Sequence, residues 1–111
     1  MNIKLPEKLY YKISEIAEAF HVNASLLRFW EKEFDILQPK KNKKGNRFFT
    51  QEDVKHLKII YHLVKERGYT LDGAKEVLAN NAKLNEELEI IFRLEKIKAE
   101  LLQLKSYFDE G

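Results

Sequence analysis

The C-terminal stretch constrains this chain most. From Ala82 to Phe108 it contains no glycine and no proline, and Ile90, Leu94, Ile97, Leu101, Leu104 and Phe108 recur at intervals of 4, 3, 4, 3 and 4 residues. That spacing is the a/d seam of a coiled coil. A lone helix cannot bury so narrow a stripe, and each Leu or Ile left in water forgoes about 1.5–3 kcal/mol. The six positions therefore call for a partner, and a second copy of the same helix is the simplest, giving a homodimer. Heptads alone do not decide between parallel and antiparallel pairing. Leu84, Leu88 and Ile91 fall on a shifted face, as expected if they pack on earlier residues before the seam begins.

Ahead of the seam the pattern is one of short helices. Ser14 is a candidate N-cap for a helix over 15–20, and Asn23 for a second over 24–33, because both side chains can accept from free backbone N–H groups. Two short helices joined only by His21-Val22 have the form of a helix-turn-helix. The second helix has two faces. Leu27, Trp30 and Phe34 make an apolar stripe, and Ser25, Arg28, Phe29 and Lys32 point the opposite way.

Apolar runs at 36–39 and 47–49 flank a basic loop ending in Gly45-Asn46, which predicts a two-stranded hairpin, or wing, kept at an edge by Pro39. Lys40, Lys41, Lys43, Lys44 and Arg47 place five cations in eight residues. Thr50-Gln51-Glu52-Asp53 is a capping box with Asp in its last place. It opens a third helix through Val54, Leu57, Tyr61 and Val64, closed by Gly68. Thr70 opens a fourth, ended by Asn80-Asn81. The expected fold is mainly α: a winged helix-turn-helix head with a two-stranded wing over 1–81, then a long coiled-coil dimerisation helix over 82–111.

Charge and residue types narrow the function. The net charge of +2 hides a gradient: residues 1–49 hold ten Lys/Arg against six Asp/Glu, and residues 82–111 hold five against seven. A basic head is expected to meet a polyanion. A helix face of small polar, cationic and aromatic groups suits a DNA groove, and a lysine-rich loop suits phosphates. The absence of cysteine excludes disulfides, thiolate metal sites and cysteine nucleophiles. His56 and His62 are six apart, not the three or four that would place two ligands on one helical face, so no metal is expected, and no cofactor. Every carboxylate falls in a helical pattern beside lysines and none is set among apolar residues, so no acid–base site and no enzyme is expected. No apolar run approaches the roughly 20 residues of a membrane span. The opening Met1-Asn2-Ile3-Lys4-Leu5-Pro6 lacks the features of a signal peptide, and a cytoplasmic protein is expected.

Several segments resemble the MerR family of regulators. Ile13-Ser14-Glu15-Ile16-Ala17 resembles its opening helix, and Ser25-Leu26-Leu27-Arg28-Phe29-Trp30-Glu31 its recognition-helix signature, usually Thr-Leu-Arg-Tyr-Tyr-Glu. Asn46-Arg47-Phe48-Phe49 resembles its wing strand, and Glu66-Arg67-Gly68-Tyr69-Thr70-Leu71 the glycine turn before the last head helix. The likeness runs in order over 10–80, and the seam falls where the family keeps its dimerisation helix. Three departures stand out: His21 occupies a turn where many members have Gly, and Trp30 and Phe49 replace tyrosines.

The resemblance implies a bacterial transcriptional regulator that binds a pseudo-palindromic promoter site on double-stranded DNA as a homodimer, with antiparallel terminal helices. It also implies that the dimer bends and untwists that DNA, with RNA polymerase as a further partner. Nothing after the seam corresponds to the effector domain of metal- or drug-sensing members, so no small-molecule effector is expected. Together with the helix faces, the resemblance assigns DNA contact to Ser14, Asn23, Ser25, Arg28, Phe29, Lys32, Lys40, Lys41, Lys43, Lys44, Asn46, Arg47 and Phe49, with Phe49 divided between that surface and the core. Two other readings stay open at this point: an architectural or recombination accessory protein of excisionase-like kind, and a coiled-coil interaction adaptor.

Overall fold

The chain begins by fastening its N-terminal segment to the body of the head. In the computed structural model, which describes residues 3–110, the Tyr11 hydroxyl donates to the Pro6 carbonyl at 2.6 Å and accepts from the Lys8 N–H at 3.2 Å. Tyr11–Lys12 forms a two-residue strand, β1, which runs straight into helix α1, Ile13–Phe20. Helix α2, Ala24–Glu33, follows after a tight turn. Strands β2, Lys40–Lys41, and β3, Arg47–Phe49, then form the wing. Helix α3, Gln51–Tyr61, continues into a π-turn over His62–Glu66. Helix α4, Leu71–Ala79, and helix α5, Asn81–Glu110, complete the chain.

Local chemistry explains most of these boundaries. Thr50 accepts from the Asp53 N–H at 3.2 Å, and the Asp53 carboxylate accepts from the Thr50 N–H at 3.0 Å, so the imperfect capping box closes. The same carboxylate accepts from the Gln38 N–H at 3.2 Å, which ties the approach to the wing onto the start of α3. Thr70 caps α4 by accepting from the Gly73 N–H at 3.0 Å. Gly68 takes φ +74°, the left-handed turn that ends the third helical segment. In the wing loop the Asn42 side chain accepts from the N–H groups of Lys44 and Asn46, both at 3.0 Å, while Gly45 takes φ +81°.

Four sequence expectations change. The sheet has three strands in the order β1-β3-β2, not two: Tyr11 pairs with Phe49 and Lys12 with Phe48, antiparallel, while Lys40 pairs with Phe48 and Lys41 with Arg47. Residues 36–39 are turn and coil, so the outer strand begins only at Lys40. Ser14 is not the cap of α1. Strand β1 leads directly into the helix and Lys12 holds the cap position, its N–H bonded to Glu15 Oε1 at 3.2 Å. Asn23 does sit at the α2 cap in extended conformation, but it makes no side-chain cap bond, and its carbonyl accepts from Leu26 and Leu27 instead.

One core joins these pieces. Ile16 and Phe20 from α1, Leu27 and Trp30 from α2, Phe34 and Leu37 beyond it, and Phe49 from β3 pack against Val54, Leu57, Ile60 and Leu63, with Ala74 and Val77 from α4. Phe20 meets Tyr61 edge-to-face at 5.8 Å. Ile91 is buried and Leu84 and Leu88 are half-buried, so the first turns of α5 pack as expected. Phe49 is 0% exposed, which removes it from any surface contact. Its ring fills the core beneath the wing. Truncating Phe49→Ala should cost about 3–5 kcal/mol, read as a lower urea midpoint, whereas Phe29→Ala should stay within about 0.5 kcal/mol. Equal losses in the two variants would contradict this placement.

Candidate nucleic-acid interface

Burying Leu27 and Trp30 turns the opposite side of α2 to solvent, and there Ser25, Arg28, Phe29 and Lys32 are all exposed. Arg28 makes no ion pair or hydrogen bond among the described residues, so its guanidinium is free to take up anions. The wing stands beside it. One groove is lined by Ser14 from α1, Arg28 from α2, and Asn46 and Arg47 from the wing. A neighbouring one is lined by Ser25, Arg28, Phe29, Lys32, Lys41 and Arg47. Asn23 lines a third with Ser25 and Phe29. A cationic helix surface and a basic ribbon therefore project from the same side of the head.

The wing is held to α2 by a charge pair. Arg47 Nε donates to Glu31 Oε2, with both side chains largely sequestered from water. Arg47 is thus committed to an internal partner, unlike the free Arg28. Lys40, Lys41, Lys43 and Lys44 are exposed, and Lys40 Nζ lies 5.7 Å above the Tyr10 ring. Behind α2, Lys75 Nζ of α4 binds Glu33 Oε2 at 3.0 Å, a contact that holds the lysine's pKa above its ordinary value.

Residues with no sequence signal join this surface. His21, at φ 55°, and Lys65 line the groove with Asn23, Ser25 and Phe29. Lys65 lies in the π-turn, forty residues beyond Ser25, where no periodicity could connect them. Glu31 enters the sequence only as the end of the recognition-helix signature, and its role as the anchor of Arg47 depends on a residue sixteen positions away.

The expectation that no carboxylate sits among apolar residues is wrong. Asp53 and Glu87 are both buried. Asp53 is taken up by the cap of α3, and Glu87 by a bond network with His62, Arg67 and Tyr69. Burial pushes the Glu87 carboxyl up, but hydrogen bonds from Tyr69 and His62 and the Arg67 charge outweigh it, and the group lies below its ordinary value.

Along α5 the expected seam is open. Ile90 is half-buried, and Leu94, Ile97, Leu101, Leu104 and Phe108 are between 47% and 69% exposed. A run of large apolar side chains this exposed marks an interaction face.

The fold and this surface define a winged helix-turn-helix protein. The family described as "MerR HTH family regulatory protein" matches residues 11–81. The chain is 26% identical over 102 residues to the HTH-type transcriptional regulator ZntR of Escherichia coli (strain K12), covering 86% of this chain and 72% of that one. It is also similar to the crystal structure of HiNmlR, a MerR family regulator lacking the sensor domain, bound to promoter DNA, with 27% identity and a TM-score of 0.52, covering 90% of this chain and 82% of the other. The N-terminal part of MtaN, the Bacillus subtilis multidrug transporter activator, matches with 26% identity and a TM-score of 0.55 over 84% of this chain and 92% of the other. The chain belongs to the MerR family of helix-turn-helix regulatory proteins, and it is a DNA-binding transcriptional regulator.

Replacing Glu31→Gln should loosen the wing without disturbing α2. A partly buried pair of this kind contributes on the order of 1 kcal/mol, so amide exchange over 47–49 should quicken roughly fivefold. Unchanged exchange there would mean that the core alone holds the wing.

Proposed function

We propose that the chain binds double-stranded DNA as a homodimer on a pseudo-palindromic promoter site. Helix α2 enters the major groove and the wing lies along the flanking backbone. The observation that carries this reading is the unpaired, exposed Arg28 beside the basic ribbon, on the face opposite the buried Trp30. Ser14, Asn23, Ser25, Phe29, Lys32, Asn46 and Arg47 complete the surface, and Lys40, Lys41, Lys43 and Lys44 supply phosphate contacts that carry no sequence information. HiNmlR, described as lacking the sensor domain, is bound to promoter DNA in its crystal structure, which supports the same mode here. The reading is of a binding protein without a catalytic role, with residues 1–81 as the DNA-binding head and 82–111 as the dimerisation helix. Residues 1–2 and 111 of those two units lie outside the described residues.

The open seam supports self-association through α5. In an antiparallel pair, Ile90 would face the partner's Phe108, Leu94 the partner's Leu104, and Ile97 the partner's Leu101, so all six seam residues find apolar neighbours. Because the chain has no cysteine, introduced thiols report this directly. Mixed Leu94→Cys and Leu104→Cys chains should form a disulfide-linked heterodimer, while either variant alone stays unlinked. Linking by Leu94→Cys alone would identify a parallel pair, and a monomeric mass in sedimentation would overturn the dimer.

Arg28→Ala should weaken binding to a promoter site by at least about tenfold, in keeping with the roughly 1–3 kcal/mol of a good base contact, with the melting curve unchanged. Undiminished affinity would remove α2 from the interface. Wild-type affinity should fall as salt rises, and the slope should flatten when wing lysines become alanine. Footprints spread over many dispersed sites would favour an architectural protein over a promoter regulator.

A further inference from the structure

His62 is 2% exposed and stands at the head end of α5, where the π-turn begins. Its Nδ1 is 3.2 Å from Glu66 Oε1 and its Nε2 is 3.1 Å from Glu87 Oε2. A neutral imidazole carries one N–H and one lone pair. Set between two carboxylates, a neutral ring would aim its lone pair at an oxygen that has no proton to give. Only the imidazolium donates on both sides. Of the two carboxylates, Glu87 is buried and, as described above, lies below its ordinary value.

The second half of the node comes from the loop after the π-turn. Arg67 Nη2 donates to Glu87 Oε1 at 3.3 Å and the Tyr69 hydroxyl to the same atom at 3.0 Å. Both Glu87 oxygens are therefore taken. The groups facing His62 are Glu66 from the π-turn and Glu87 from α5, with Arg67 and Tyr69 reaching Glu87 from the loop. No titratable side chain of α1 or α4 is bonded to His62 or Glu87 among the described residues. The other contacts that dock α5 on the head are the apolar ones of Ile91 and the half-buried Leu84 and Leu88, the Asn80 side chain accepting from the N–H groups of Ala82 and Lys83, and an exposed Lys83–Glu76 pair at 3.3 Å, which water screens. Apolar contact leaves an angle soft, whereas a buried, charge-assisted network fixes one.

We infer that His62 is held as an imidazolium between Glu66 and Glu87, and that this charged node sets the angle at which α5 leaves the head. The inference rests on the proposed dimer, in which that angle fixes the distance between the two DNA-binding faces. His62 and Glu87 are then positioning residues, acting on DNA through the spacing of the faces. The Glu87 carboxyl is held below its ordinary value, so its contribution to the node is lost as pH falls through its folded-state value.

The ring state is read from ¹⁵N-resolved NMR of the intact chain across about pH 5–9, the range in which histidines change charge. Below the His62 transition both ring nitrogens should carry protons, and Glu87→Gln should convert the ring to a neutral tautomer at a pH where the wild type is charged. A neutral ring in the wild type throughout that range overturns the inference. Spin labels on Lys43→Cys chains give the wing-to-wing distance in the dimer. That distance should be narrowly distributed below the transition and broaden both above it and in Glu87→Gln, whose DNA affinity should fall by about tenfold. An unchanged, narrow distribution in Glu87→Gln would leave the charged ring without its positioning role. A monomer by sedimentation would overturn the dimer reading instead, with the ring-nitrogen result still deciding the charge.

Discussion

The burial of Leu27 and Trp30 in the common core, with α2 packed on α1, is the contact on which the rest depends. Helix α2 has only ten residues, and once these two side chains lie inside, the direction of every other residue on it follows from helical geometry. Ser25, Arg28, Phe29 and Lys32 are exposed because their neighbours are not. The Glu31–Arg47 pair then uses the border between the two faces to hold the wing, so the position of the wing also traces back to the seating of α2. A cavity at Trp30 would loosen the surface as well as the core, since the core is what aims it.

Much of this arrangement could be read from residue order because its causes are local. The two faces of α2 follow from spacings of three and four, and the caps at Thr50 and Thr70 from residue types three positions apart. The seam of α5 is a strictly repeated interval. Features whose cause lies far along the chain could not be read. Strand β1 is two residues long and gains its identity from pairing with Phe48 and Phe49. That pairing also displaced Ser14 from the cap, because a chain arriving as a strand has its turn into α1 set by the sheet. Glu87 sits in Glu86-Glu87-Leu88-Glu89, which reads as solvated surface, and only the arrival of His62 from 25 residues upstream makes it interior. Phe49 shows a third limit: an aromatic residue beside five cations suggests a contact, and burial alone decides otherwise.

Two kinds of adhesion are kept apart in this molecule. The side that carries Arg28 and the wing presents exposed cations with little internal commitment, apart from Arg47. The junction of head and α5 relies on buried charges that satisfy one another. Cations of the first kind respond to dissolved ions, because their interactions run through water. At the junction the buried Glu87 and His62 are screened by salt much less.

The turn between α1 and α2 carries a consequence of its own. His21 adopts φ 55°, a conformation that glycine takes freely and that costs a side-chain-bearing residue about 1 kcal/mol. In a chain optimised only for folding, that position would favour glycine. An imidazole there stands at the rim of the groove beside Ser25 and Phe29, and it marks a spot where surface chemistry has outweighed backbone ease.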